Sequence, residues 1–334
     1  MTCKERVTAA LRHQQPDVCP WSLGFTQPAA EKLAAYWGVA DPYSRVGNHI
    51  AGFAAVRPDY WTEVSPDHWR DEWGAVWDRT MDKDIGNVVN RMLPEPTLEG
   101  YEWPDPDDPQ RWAHVPASLE SHPDEFVMVD LGFSLFERAW ILRGMASLLM
   151  DMVEHPAFVD ELLDRICDYN VAIATRAARY GIDCVHFGDD WGQQRGMIMG
   201  PRLWRRFLKP RLERQYAAVK AAGKFVSIHC CGDIQEVLPD LIEIGLDCFN
   251  PFQPEVIDVF AAKREFGDRL SFFGGVSTQH LLPYGTPTEV KEQAKRLMAE
   301  VGKDGGYIIA PAHAIPGDAP AENMAALIEA VNEQ

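Results

Sequence analysis

Lys224-Phe225-Val226-Ser227-Ile228-His229-Cys230-Cys231-Gly232-Asp233 is a short apolar strand that ends in a polar, metal-capable tip. Strand side chains alternate between faces, so His229 and Cys231 point one way and Cys230 the other. Gly232 permits a tight turn, and Asp233 can cap a helix expected over 234–244. A strand, a reactive tip and a helix make one unit of a (β/α) barrel, whose chemistry sits at the C-terminal ends of its strands.

The rest of the chain repeats that unit. Strands are expected at 126–129, 184–187, 247–250, 270–273 and 307–310, each followed by a helical pattern. Pro156, Pro201 and Pro287 each open a helix at its first turn. The helix from Pro156 carries an apolar stripe of Phe158, Leu162, Ile166, Tyr169, Ile173 and Ala177 at helical spacing. Strands of four to six residues alternating with helices indicate a parallel sheet. An earlier strand is expected at 18–22, weakened by Pro20. With the strand in the opening stretch that makes seven. An eighth is expected near 49–53 or elsewhere in the early region. No Gly-x-Gly-x-x-Gly follows a strand and no Walker lysine motif occurs, which disfavours a nucleotide-binding doubly wound fold.

The predicted architecture is therefore an α/β (β/α)8 TIM barrel spanning 1–334 as a single domain, with an N-terminal Trp-rich insert at about 58–123. That insert holds Trp61, Trp69, Trp73, Trp77, Trp103 and Trp112. Their large rings favour burial, so they are expected to be packing anchors. Residues 72–80 and 87–93 are expected to pair as a hairpin. Residues 94–109, acidic and rich in proline, read as a surface loop.

The chain has 334 residues, 46% of them hydrophobic, with a formal net charge of -18 and a pI near 4.9. Such acidity argues against binding nucleic-acid phosphates or anionic membranes. No apolar run approaches the roughly 20 residues that span a bilayer. The start, Met1 to Arg6, is charged and has no apolar signal core after it, so a cytoplasmic protein is expected. The seven cysteines then read as thiols, core residues or ligands rather than a disulfide framework. Cys184 and Cys248 lie inside strands, where they are expected to be small core residues.

Polar residues gather just after the expected strands: Asp189 and Asp190, His229 and Cys231, Asn250 and Gln253, Ser277 and Gln279, and His313 and Asp318. In a barrel these positions converge on one mouth. His229 and Cys231 form half of a plausible zinc site, which needs a third ligand from another strand end. His313, Asp189 and Asp190 are the candidates. Adjacent residues in extended backbone point apart, so at most one of Asp189 and Asp190 is expected to face the mouth.

Glu5-Arg6-Val7-x-x-Ala10-Leu11 with Pro16-Asp17, Phe136-Glu137-Arg138, Pro201 to Pro210, and Ala319-Pro320-Ala321-Glu322-Asn323 resemble the uroporphyrinogen decarboxylase superfamily. This group also includes zinc-dependent corrinoid methyltransferases. The resemblance implies a barrel, and family members point to a homodimer. The decarboxylases carry an Arg-Gln-Ala-Gly-Arg stretch that grips substrate carboxylates. Here the corresponding Ser22-Leu23-Gly24-Phe25-Thr26-Gln27 has neither arginine. The methyltransferases use a His-x-Cys pair plus a distant cysteine. This chain has His229 and Cys231, but His313 where that cysteine would fall, closer to the decarboxylases' Gly-His-Gly segment.

The resemblance thus implies a zinc-dependent methyltransferase that works with a corrinoid protein, which presents methylcobamide. It would demethylate a methoxylated aromatic or pass methyl to a thiol acceptor. The metal falls to His229, Cys231 and His313, and catalytic proton or orienting roles to Asp189, Asp190 and His313. Phe133, Phe187 and Trp191 are expected to line an apolar substrate pocket, with Gln194, Asn250 and Gln253 as polar contacts. The alternatives are a metal-independent uroporphyrinogen decarboxylase and a non-catalytic corrinoid or tetrapyrrole binder.

Overall fold

Seven strands form one sheet: β1 (Ile50–Ala54), β2 (Phe126–Phe133), β3 (Cys184–Gly188), β4 (Phe225–His229), β5 (Cys248–Phe252), β6 (Ser271–Val276) and β7 (Tyr307–Pro311). They are neighbours in that order and every pairing is parallel. The structure is a computed structural model that describes all residues from Met1 to Gln334.

The sheet curls so that its two edges meet across residues 19–25. Ser22 N donates to Ile309 O at 3.2 Å, Ile309 N to Pro20 O at 2.9 Å, and His49 N to Trp21 O at 3.0 Å. This segment makes only isolated bridges, Trp21 to Ile309 and Phe25 to Ile315. Pro20 has no N–H to give to a ladder, which keeps the segment irregular. Both early expectations, at 18–22 and 49–53, therefore fall on sheet positions, one regular and one not.

Paired residues on neighbouring strands face the same way, so the register sorts inside from outside. Phe126, Met128, Cys184, Cys248 and Ile308 face inward and pack on Val7 and Leu11 of the helix Cys3–Leu11, which plugs the bottom. That helix starts at a capping box, with Thr2 and Glu5 each accepting from the other's backbone amide. Val127, Val129, Val185, Phe187, Val226, Ile228, Phe249 and Phe272 face outward into the main core shared with the helices.

Between β1 and β2 lies a four-stranded antiparallel sheet of Thr62–Ser65, His68–Arg70, Val76–Asp78 and Asn87–Val88. Trp77 pairs with Val88, which is the hairpin expected there. The sheet follows the C-terminal end of β1 and leans on the end of β2, where Trp77 stacks on Phe133 at 5.2 Å. Two buried ion pairs tie it down: Arg138 to Asp71 at 3.0 Å and Arg111 to Glu72 at 2.6 Å. Trp73, Trp77 and Trp112 are buried. No helix of the molecule is long and apolar enough to cross a membrane.

Candidate metal centre

Alternation in β4 puts Ser227 and His229 inside the barrel and Ile228 outside. The chain then leaves the sheet at Gly232, which has φ +85. A Cβ there would lie 2.4 Å from Gly192 C and from Gln193 N, so the turn is pressed against the loop after β3 and only glycine fits. The turn brings Cys231 Sγ to 3.3 Å from His229 Nε2. Two contacts hold it: Cys231 N donates to Asp190 Oδ1 at 2.7 Å, and Gly232 N donates to Gln253 Oε1 at 3.1 Å. Cys230 is buried on the opposite face, with its Sγ accepting from Trp191 N at 3.2 Å.

Asn250, next to His229 in the sheet, fixes the imidazole. Its Nδ2 donates to Phe273 O at 3.0 Å, so its Oδ1 must face His229 Nδ1, 2.7 Å away. His229 Nδ1 therefore carries the proton and Nε2 presents a lone pair toward Cys231. His313 arrives from the turn after β7, its ring 5.5 Å from that of His229. The donor atoms of His229, Cys231 and His313 all lie within 4.8 Å of one another.

The residues fit a zinc ion. Two imidazoles and a thiol are ordinary zinc donors, and three protein ligands leave one position open. Tetrahedral ligands at zinc bond lengths are about 3.5 Å apart. The His229–Cys231 separation already matches this, and His313, on an exposed turn, has a short distance to close. Burial pushes the Cys231 thiol well above its usual pKa, and Asp190 and Glu137 push it further. A bound cation would favour the thiolate there. Desolvation where its ring faces the site, together with the neighbouring His229, holds His313 below the usual histidine pKa, which keeps its lone pair free.

The adjacent aspartates part company. Asp189 is fully buried and turned toward the start of the helix Phe136–Arg143. It accepts from Leu135 N at 3.2 Å, Glu137 N at 2.7 Å and Trp191 Nε1 at 2.5 Å. Burial raises its pKa to about 7 against the pull of those donors. Asp190 is the one that turns to the site.

The structure sets two of the expected pocket residues elsewhere. Phe187 is fully buried on the outer face of β3, its ring 5.7 Å from Tyr216. Its neighbour His186 faces inward, so Phe187 cannot. Trp191 is also fully buried, packed on Trp204 and bonded to Asp189, and it lines no open pocket. Asn250 and Gln253 are buried; Asn250 bonds His229 and Phe273 through the two ends of its amide, and Gln253 Oε1 accepts from Gly232 N. Gln194 is exposed in the turn between Gly192–Gln193 and Gly196–Met197. Phe133 is half-buried at the end of β2.

One acidic group given no role from the sequence stands beside the site. Glu137 is buried, and burial, Asp190 and Asp189 together raise its pKa far above the carboxylate range. The signal for it was a charged pair, Glu137-Arg138, within an otherwise apolar helix turn.

Three comparisons with known proteins bear on these features. The family model described as uroporphyrinogen decarboxylase (URO-D) matches residues 135–334. Uroporphyrinogen decarboxylase of Chlorobaculum tepidum is 26% identical over 187 residues, covering 55% of this chain and 51% of the relative. The chain thus spans about half the length of such decarboxylase relatives. The methylated-thiol--coenzyme M methyltransferase of Methanosarcina mazei is 24% identical over 350 residues, covering 100% of this chain and 90% of the relative. A solved structure described as a methyltransferase from Methanosarcina mazei superposes with a TM-score of 0.76 at 21% identity, covering 100% of this chain and 99% of that one. At that identity the likeness is one of fold.

Proposed function

Because the chain belongs to the uroporphyrinogen decarboxylase family, we propose that it is a methyltransferase of that family, dependent on zinc and working with a corrinoid protein that presents methylcobamide. The observation that carries this reading is the meeting of His229 Nε2, Cys231 Sγ and the His313 imidazole within 4.8 Å at the mouth of the sheet. The full-length similarity to a methylated-thiol--coenzyme M methyltransferase supports it.

A zinc ion held by these three residues would supply a Lewis acid that lowers the pKa of a thiol or polarises a methyl-bearing oxygen. The protein's own groups do the positioning. Asn250 holds His229 in the tautomer that presents Nε2. Asp190 and Gln253 hold the turn that carries Cys231. Glu137, kept protonated beside Asp190, is placed to hold or pass a proton at the edge of the site. Asp189 anchors the frame on which Glu137 and Asp190 sit.

Decarboxylation of a polycarboxylate tetrapyrrole is the weaker reading. The inward-facing strand positions that pair with His229 and its neighbours are Gly188, Asn250, His186 and Asp130, none of them a cation. Clustered carboxylates on a substrate call for arginine forks. The deciding experiment is metal analysis of protein purified without chelator. About one zinc per chain is expected, and a variant with His229→Ala and Cys231→Ala should lose it while keeping its helical circular dichroism. Zinc retained by that variant would sink the assignment.

A further inference from the structure

We propose that the open bay beside the metal cluster takes a small substrate whose non-reacting end carries an ammonium group, and that Asp130 selects it. The inference rests on the methyltransferase reading for the reacting end of the substrate and extends it to the other end.

The bay is built by residues 19–25, β1 and β2, which are neighbours around the curled sheet. Trp21, Leu23 and Phe25 are buried in the outer core, so Ser22 and Gly24 between them face inward. On β1, Gly52 and Ala54 lie in register with Met128 and Asp130 of β2. Gly52, Ala54 and Asp130 are all exposed, although they lie on paired strands of the sheet. A Cβ added at Gly24, Gly52 or Gly132 would meet nothing within 4 Å. The interior is therefore open to the level of Met128 on this side, whereas the β4 side is filled by His229, Cys231 and Asn250.

Asp130 stands on the wall of this opening, one inward position above Met128. Its Oδ1 accepts from Gly132 N at 2.7 Å, and no lysine or arginine forms an ion pair with it. The two arginines behind it are already committed, Arg138 to Asp71 and Arg111 to Glu72. Its partner on β3 is His186, which is itself bonded to Ser227 Oγ at 2.9 Å. A sulfonate, phosphate or carboxylate in the bay would meet Asp130 and Asp190 without a counter-ion. An ammonium would pair with Asp130, which has no cationic partner of its own. Repulsion of the anion contributes to selection as much as attraction of the cation.

Three thiols of equal reach test this by calorimetric titration into the zinc-bearing protein: cysteamine, 2-mercaptoethanol and 2-mercaptoethanesulfonate. Cysteamine is expected to bind at least about fivefold more tightly than the sulfonate, with the neutral thiol between them. Asp130→Asn should shrink that spread to less than about twofold with zinc content unchanged. Gly52→Leu should weaken all three, again with zinc unchanged, because its side chain enters open space at an ordinary backbone angle. Equal affinities, a preference for the sulfonate, or an Asp130→Asn variant that keeps the full spread would overturn the inference alone. A Gly52→Leu variant that binds all three as before would remove the substrate from the bay. Protein that holds no zinc and binds no thiol would overturn the methyltransferase reading beneath it.

Discussion

Where β4, β5 and the turn after β7 crowd His229, Cys231, Asn250 and His313 together, the wall made by residues 19–25, β1 and β2 presents Gly24, Gly52 and Gly132 to open space. One wall holds donor atoms, with neighbouring amides engaged in keeping them in place. The other holds room. The difference teaches that position on the sheet, more than residue type, separates holding a metal from admitting a substrate. Asn250 and Gln253 have the chemistry of substrate contacts, yet on the crowded wall both amide oxygens and the Asn250 amide nitrogen are engaged in holding the site.

The contrast repeats within two residues. Asp189 is a frame element and Asp190 belongs to the site, so exchanging each in turn separates the two roles. Asp189→Ala would leave Leu135 N, Glu137 N and Trp191 Nε1 without their acceptor. A loss of about 3 kcal/mol in unfolding free energy is expected, measurable by urea denaturation. Asp190→Ala, which frees one amide, should cost about 1 kcal/mol. Similar losses from both variants would break the distinction.

Asn250→Leu should leave the fold in place and weaken zinc binding by about 10–100-fold, read by competition with a chelator, because His229 loses the partner that sets its tautomer. Affinity equal to that of the unaltered protein would show the imidazole to be held by something else.

Glu137 gives a pH-dependent effect. Its carboxyl pKa is raised in the folded state by burial and by Asp190, so the folded protein keeps a proton that the unfolded chain releases. That contribution is complete below the ordinary glutamate value of about 4.3 and is lost as pH rises through the raised folded value. In metal-free protein, Glu137→Gln should therefore lose less stability than the unaltered protein between pH 5 and pH 9, a window of about four units. Parallel pH profiles would contradict this.

The smallest effect belongs to the empty wall. Gly52→Ala should change stability by less than about 1 kcal/mol, since the added methyl meets nothing and strand glycine is mildly unfavourable. A large loss would mean that the wall is packed.

Much of this was legible in the chain. The strand, turn and helix rhythm from residue 126 onward marks the parallel sheet, because each strand must be buried on both faces. The parity of β4 separates His229 and Cys231 from Cys230. The same parity applied to β3 turns Phe187 away from the mouth, since His186 faces in. Trp191 lies beyond the end of β3, where alternation no longer governs direction, and only the folded contact with Asp189 and Trp204 locates it. The role of Asn250 depends on an amide orientation set by Phe273 O, a partner 23 residues away. The open wall left no trace in sequence, because a glycine in a strand reads as a bulge or bend as readily as it does a space.

The central claim is that His229, Cys231 and His313 hold one zinc ion. X-ray absorption at the zinc edge of protein purified without chelator tests it most directly. A first shell of one sulfur at about 2.3 Å and two imidazole nitrogens near 2.0 Å, completed by one light atom, is the predicted result. A shell without sulfur, or protein with no stoichiometric zinc, would contradict it.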